Sequence, residues 1–360
     1  MKKDNQIQFN TLQKISIALI NSDLRFIYTI HQNYNNVGGN FFVALFPYLG
    51  LVTDGAEDWL KAYNNSSKMK LNVPLFNKEQ QSFFEKMRSS IKIWEQDYGL
   101  IYQELGHIYK ESDDYFSSLC KPIAKQLHLY DIFGAYIANH KYCGNTVLCN
   151  YYIPDYKFGN DHKDLLINMG SVTGEYIALF GAKENYTFNS SFTNVYDRDY
   201  GGFIKSPVGN KYSDKFVLFS ILCQINFVLE GINKTIIDET PTKLRFSYLL
   251  YYYLLKKLPQ INKKFRTDFK LSDKWCSGKF RNAMAHYKMG IALQENEIVF
   301  DDPLYGLTQK YLGTDYYTVK KDIVDSLENL STQLDTFLGF NGKIKFQLNE
   351  IEFFLTLSFH

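Results

Sequence analysis

Apolar residues recur at helical spacing along most of this chain. Residues 7–30, 77–110, 115–138 and 163–180 each repeat them every three to four positions, as a helix with one buried face does. Strand-like alternation is scarce before residue 290. From about 183 to 212 the chain turns to Asn, Thr, Ser, Gly, Asp and Tyr, with Gly201-Gly202 and Pro207. That composition reads as a linker between a helical region, 1–182, and a C-terminal unit.

The C-terminal unit has the sharper pattern. Ser213 can cap a helix reaching about Ile237, apolar nearly all round and therefore central and buried. Thr240 and Pro241 suit the cap and first turn of a second helix, which the spacing ends before Pro259. Ser272 can cap a third, over about 273–289, with Cys276, Phe280, Ala283, Met284 and Tyr287 along one stripe. A fourth, about 315–338, carries Val319, Ile323, Leu327, Leu330, Leu334 and Leu338 on one face, and Gly339 stands where a C-terminal cap belongs. Four such faces predict a four-helix bundle over 213–340. Alternation around Asn349-Glu350 predicts a small β-hairpin tail over 341–360. The expected fold class is mainly α.

Composition narrows the function classes. The chain has 360 residues, 45% hydrophobic and 22% charged, which is globular, and its length fits two or three domains. Forty basic against 38 acidic residues exclude a wholesale polyanion binder but leave room for a local basic patch. Five scattered cysteines without a CxxC pair argue against a disulfide framework or a structural zinc site, and point to a reducing cytoplasm. The apolar runs Phe41–Val52 and Phe216–Leu229 are shorter than the roughly 20 residues of a spanning helix.

One basic stretch stands out. Lys256 to Arg281 holds nine basic residues against Asp268 and Asp273, with Phe265, Phe269, Trp275 and Phe280 interleaved. This suits a single-stranded RNA backbone with bases free to stack; the plainer reading is a solvated loop whose aromatics belong to the core. At its end lies Arg281-Asn282-Ala283-Met284-Ala285-His286. On a helix, Asn282 and His286 share a face, whereas Arg281 lies about 140° round from His286 and must bend across to join it. An imidazole can exchange protons with ribose and phosphate oxygens, and a guanidinium can bind the phosphate, with no metal or other cofactor. A single pair is sparse; two copies across a dimer would supply the missing groups. Lys274, Lys279 and Tyr287 are candidate RNA contacts. Glu230, with Asn226 and Asn233, forms a polar stripe on the first bundle helix. It ties the bundle together or holds Arg281 or His286 from behind.

Arg-Asn-x-x-x-His on the third helix of a small bundle resembles the R-x(4–6)-H motif of the HEPN superfamily. Its members include RNase toxins, abortive-infection proteins and nuclease parts of RNA-targeting CRISPR effectors. The resemblance covers about 213–340. It implies a metal-independent endoribonuclease with a composite site at a homodimer interface. Arg281 would bind phosphate, His286 would act as acid and base, and Asn282 would bind or orient. It also implies a toxin or antiphage role, with an antitoxin or other regulatory partner. The alternative is an inactive scaffold that binds RNA or dimerises. A subgroup has Tyr two residues after the His. Here Lys288 stands there, with Tyr287 one place earlier, so that subgroup's regulation is not carried over. Gln103-Glu104-Leu105-Gly106-His107 resembles a zinc-peptidase helix but has Gln at the first ligand position. Glu104 and His107 there read as a surface pair.

Overall fold

The computed structural model describes residues 9–68, 70–71, 77–127, 131–145, 162–193, 195–201, 206, 208–209 and 211–344. It is mainly helical, with a small antiparallel sheet. In order these are α1 (Thr11–Gln32), α2 (Tyr34–Val37), α3 (Gly39–Ser66), α4 (Lys78–Ser90), α5 (Tyr98–Ser118), α6 (Pro122–Gln126), β1 (Asp131–Ala138), β2 (Lys141–Asn145), α7 (His162–Leu179) and β3 (Val195–Gly201). Then come α8 (Asp214–Asn226), α9 (Pro241–Phe265), α10 (Gly278–Ala285), α11 (Met289–Ala292), α12 (Leu307–Leu312) and α13 (Tyr316–Phe337).

The sheet, in the order β2-β1-β3, departs from the expected all-helical N-terminal region. The helix expected over 115–138 gives way to α6 and then β1. Asn139 and His140 both take positive φ, 48° and 61°, the backbone of a tight two-residue hairpin, and Asn tolerates that conformation well. β3 lies inside the segment expected as a linker. That segment is also pinned on both sides: Arg25 on α1 donates to the Glu184 and Asn185 carbonyls, and Phe188 pairs with Ile236.

In the C-terminal unit α8 is the central helix, buried along nearly its whole length. Phe227–Ile232 continue it as a wider π-helix, and Asn233 Nδ2 donates to the Val228 carbonyl (2.8 Å). Together Asp214–Ile232 are long and apolar enough to cross a membrane by length and composition, but 89% of that stretch is enclosed by the fold. α9 runs through Pro259 rather than stopping before it. Its last turns are anchored elsewhere: Gln260 Oε1 accepts from Tyr98 N–H (3.0 Å) and from Lys257 Nζ (2.8 Å), and Lys257 reaches the Gln96 carbonyl. α13 buries Val319, Ile323, Leu327, Leu330 and Leu334, with Asp315 capping its start and Gly339 at φ 73° beyond its end. α8 and α9 pack on α13, and α10 packs on α9 and α12. The expected hairpin strands fall mostly in 345–360, outside the described residues.

The N-terminal helices share the core of this unit. Asp23 of α1 and Arg245 of α9 form a fully buried ion pair, and Trp94 donates to Gln224 of α8 (2.7 Å). Tyr98 donates to Asp214 at the start of α8 (2.8 Å).

Candidate functional site

The helix α10, expected over about 273–289, is shorter than its pattern predicts. Its start is delayed because tyrosines of α9 bind the backbone before it. Tyr251 donates to the Ser272 carbonyl, Tyr248 donates to the Trp275 carbonyl (2.9 Å), and Ser277 N–H donates to the Tyr248 hydroxyl (3.0 Å). Ser277, not Ser272, becomes the N-cap, accepting from Phe280 N–H (3.2 Å). The end comes early because two arginines take its last carbonyls. Arg245 donates twice to Met284 O (2.8 and 3.2 Å), and Arg88 Nη2 donates to Ala285 O (2.9 Å). Cations at a helix C-terminus are also favoured by the helix dipole.

Beyond Ala285 the backbone is extended at His286 (φ −136°, ψ 158°). Extended backbone sends consecutive side chains to opposite sides. His286 therefore faces out, while Tyr287 turns into the core. Asn282 and His286 do not stack on one helix face as expected, but they line the same open cleft of about 390 Å³, with Lys279, Lys288, Met289 and Tyr311. Lys279, a candidate RNA contact, lies on this cleft.

His286 has a partner that sequence reasoning did not supply. Arg88 Nη2 lies 3.0 Å from His286 Nδ1. Asp54 of α3 pairs with Arg88, and Asp58 stands 3.8 Å from it. The ring is exposed by area, but its Nδ1 edge is turned against Arg88. Desolvation there and then the Arg88 charge hold the imidazole down to about 4. It is neutral at physiological pH. A guanidinium can only donate, so Nδ1 accepts and Nε2 carries the proton.

Arg281 is not in this cleft. Its guanidinium lies over the Tyr252 and Tyr253 rings (5.4 and 5.8 Å), with Glu95 3.8 Å away. Its Nε is buried with no hydrogen-bond partner. The motif's Arg and His are thus turned to different neighbours within one chain.

Three other expectations change. Glu230 does not support Arg281 or His286; it accepts from Asn139 (2.8 Å) and Lys234 (3.0 Å) and pairs with Lys141 (3.2 Å). Burial pushes its carboxyl up, but those donors and cations outweigh it and hold it below its ordinary value. With Asn226 bonded to the Tyr142 carbonyl and to Ser331, the stripe ties α8 to the sheet and to α13. Tyr287 is not an RNA contact: it is 1% exposed, donates to Asp23 (2.6 Å) and lies under the Arg245 guanidinium (4.3 Å). Lys274 pairs with Asp322 (2.8 Å) and covers Trp275, away from the cleft.

The interleaved aromatics also follow the plainer reading. Phe269, Trp275 and Phe280 are buried, and Phe265 packs on Phe337 and Tyr98. His107 pairs with Glu111 (3.3 Å) rather than with Glu104.

Arg88 and its acidic partners were missed because the link to His286 spans 198 positions. The available signal was the acidic residues Asp23, Asp54 and Glu57 on otherwise apolar helix faces, since buried carboxylates need partners. No family model, curated protein or solved structure matches this chain.

Proposed function

We propose that the chain is a metal-independent endoribonuclease of the HEPN type that binds single-stranded RNA in the His286 cleft and acts as a homodimer. One observation carries the reading: the end of the Arg-Asn-x-x-x-His segment presents His286 and Asn282 to an open cleft that also holds Lys279 and Lys288. Lysines there would neutralise a phosphodiester, and the Asn282 amide would bind its oxygens or the ribose hydroxyl.

In the reaction, the ribose 2′-oxygen attacks phosphorus and gives up its proton, the bond to the 5′-oxygen breaks, and that oxygen takes a proton. The products are a 2′,3′-cyclic phosphate and a free 5′-hydroxyl. His286 is the group suited to take the 2′-hydroxyl proton, in the tautomer that leaves Nε2 bare. Because Arg281 is turned away, charge stabilisation falls to the lysines and to groups from a second copy. A toxin or antiphage role follows from the same resemblance.

A second reading, an RNA-binding scaffold that cleaves nothing, is favoured by the placement of Arg281 against Tyr252, Tyr253 and Glu95. The deciding experiment is cleavage of a mixed single-stranded RNA pool by purified protein in EDTA. The ribonuclease reading expects cyclic-phosphate ends, with activity lowered about a hundredfold or more in His286→Ala, the typical weight of one acid–base group. RNA bound by a folded wild-type protein but left intact selects the scaffold. Equal cleavage by wild type and His286→Ala would place the chemistry elsewhere.

A further inference from the structure

Arg88 is the one described residue of the N-terminal helices recorded hydrogen-bonded to His286. It does three things at once: it pairs with Asp54, caps the Ala285 carbonyl, and donates to Nδ1 of the imidazole. We infer that Arg88 is a positioning residue that decides which nitrogen of His286 carries the proton, so that the N-terminal helices govern whether the site can accept one.

The argument is stereochemical. The ring lines the cleft, and the nitrogen not held by Arg88 is Nε2. While Arg88 donates to Nδ1, Nε2 keeps its hydrogen and can only donate to a phosphate oxygen; it cannot take the proton of a 2′-hydroxyl. Asp58, 3.8 Å from Arg88, is a ready alternative partner. If the guanidinium moved fully onto Asp54 and Asp58, Nδ1 would be released. The ring proton could then sit on Nδ1, leaving Nε2 as an acceptor. The other charges that bear on the ring are Lys92 after α4, Lys288 after α10 and Asp58 on α3, while Lys279 shares the cleft. Of these, only Arg88 is recorded hydrogen-bonded to the imidazole.

The assignment of Arg88 stands on geometry alone; only its consequence for RNA cleavage rests on the ribonuclease reading. Nitrogen-15 NMR of the histidines in the full chain tests it. In the wild type, His286 should show a protonated Nε2 and a bare Nδ1, and should stay neutral until about pH 4. In Arg88→Gln its midpoint should rise toward the ordinary 6.5, and the protonated-Nε2 preference should weaken. Because Arg88→Gln leaves Asp54 without its cation, Asp54→Asn/Arg88→Gln serves as a second, charge-balanced variant with the same expectation.

A wild-type ring protonated on Nδ1, or a midpoint unmoved in both variants, would overturn the inference. In the cleavage assay at pH 7 the double variant should be faster, on the order of tenfold, as a free imidazole becomes available. A shifted midpoint with no cleavage by either protein would uphold the role of Arg88 and refute the ribonuclease reading instead.

Discussion

Arg245→Met tests how the site is held. Arg245 is 1% exposed and Asp23 0%. Removing the guanidinium leaves the Asp23 carboxylate buried with only the Thr242 and Tyr287 hydroxyls, each 2.6 Å away. Breaking a buried ion pair from one side costs about 3–5 kcal/mol. The Met284 carbonyl also loses both its donors, and a buried unpaired carbonyl adds about 1–3 kcal/mol, though the two losses overlap. The expected total is about 4–6 kcal/mol, a large share of the ~5–15 kcal/mol that holds a typical domain.

Urea unfolding followed by tryptophan fluorescence measures it. Asp23→Asn/Arg245→Met removes both charges and leaves a carboxamide whose oxygen accepts from one hydroxyl and whose NH2 donates to the other hydroxyl's oxygen, so it should recover to within about 2 kcal/mol of wild type. A single-variant loss below about 1 kcal/mol, or a double variant no better than the single, would refute the claim that this pair anchors the segment leading to His286.

Other measurements follow from the same geometry. The salt dependence of RNA affinity should flatten by about 0.7 in log–log slope in Lys279→Ala and in Lys288→Ala, and not in Lys274→Ala, whose ammonium is committed to Asp322. Glu230 is held below its ordinary value, so it contributes stability at neutral pH that is lost as pH falls through that lowered value. Stability of Glu230→Gln should therefore be lower at neutral pH and depend less on pH in the acid range, a difference that acid titration of the unfolding midpoint would show. A Cβ at Gly50 would meet the Arg88 backbone nitrogen and Met87 Cβ at 2.6 Å. Gly50→Ala should thus cost about 1–3 kcal/mol by thermal melting and shift the His286 NMR signal through Arg88.

Legibility in the sequence followed the range of the forces involved. The stripe from Val319 to Leu334 settles α13 locally, and Thr240-Pro241 opens α9 where expected. The third helix was misjudged at both ends because distant groups set its ends: hydroxyls of Tyr248 and Tyr251 before it, guanidinia of Arg88 and Arg245 after it. The sheet was missed because Asn139-His140 is a weak turn signal beside Asn-Gly, and because Ala135–Ala138 is apolar throughout rather than alternating. The sequence groups Arg281, Asn282 and His286 as one site, with Lys274, Lys279 and Tyr287 as RNA contacts; of these six, Asn282, His286 and Lys279 line the cleft. Arg281 joins that group through the motif, despite its offset of about 140° on the helix, and the Tyr252 and Tyr253 faces hold it elsewhere.

The Asp23–Arg245 bond joins residues 222 positions apart. A ribosome releases α1 long before α9 exists, so Asp23 waits unpaired through most of translation. The carbonyl that Arg245 caps and the ring that Arg88 faces are made later still. The cleft is accordingly among the last features to form, and a prematurely terminated chain would lack it altogether. Such long-separation contacts also slow folding. Under the ribonuclease reading proposed above, this order of assembly would keep nascent polypeptides harmless to the message and the ribosome that are producing them.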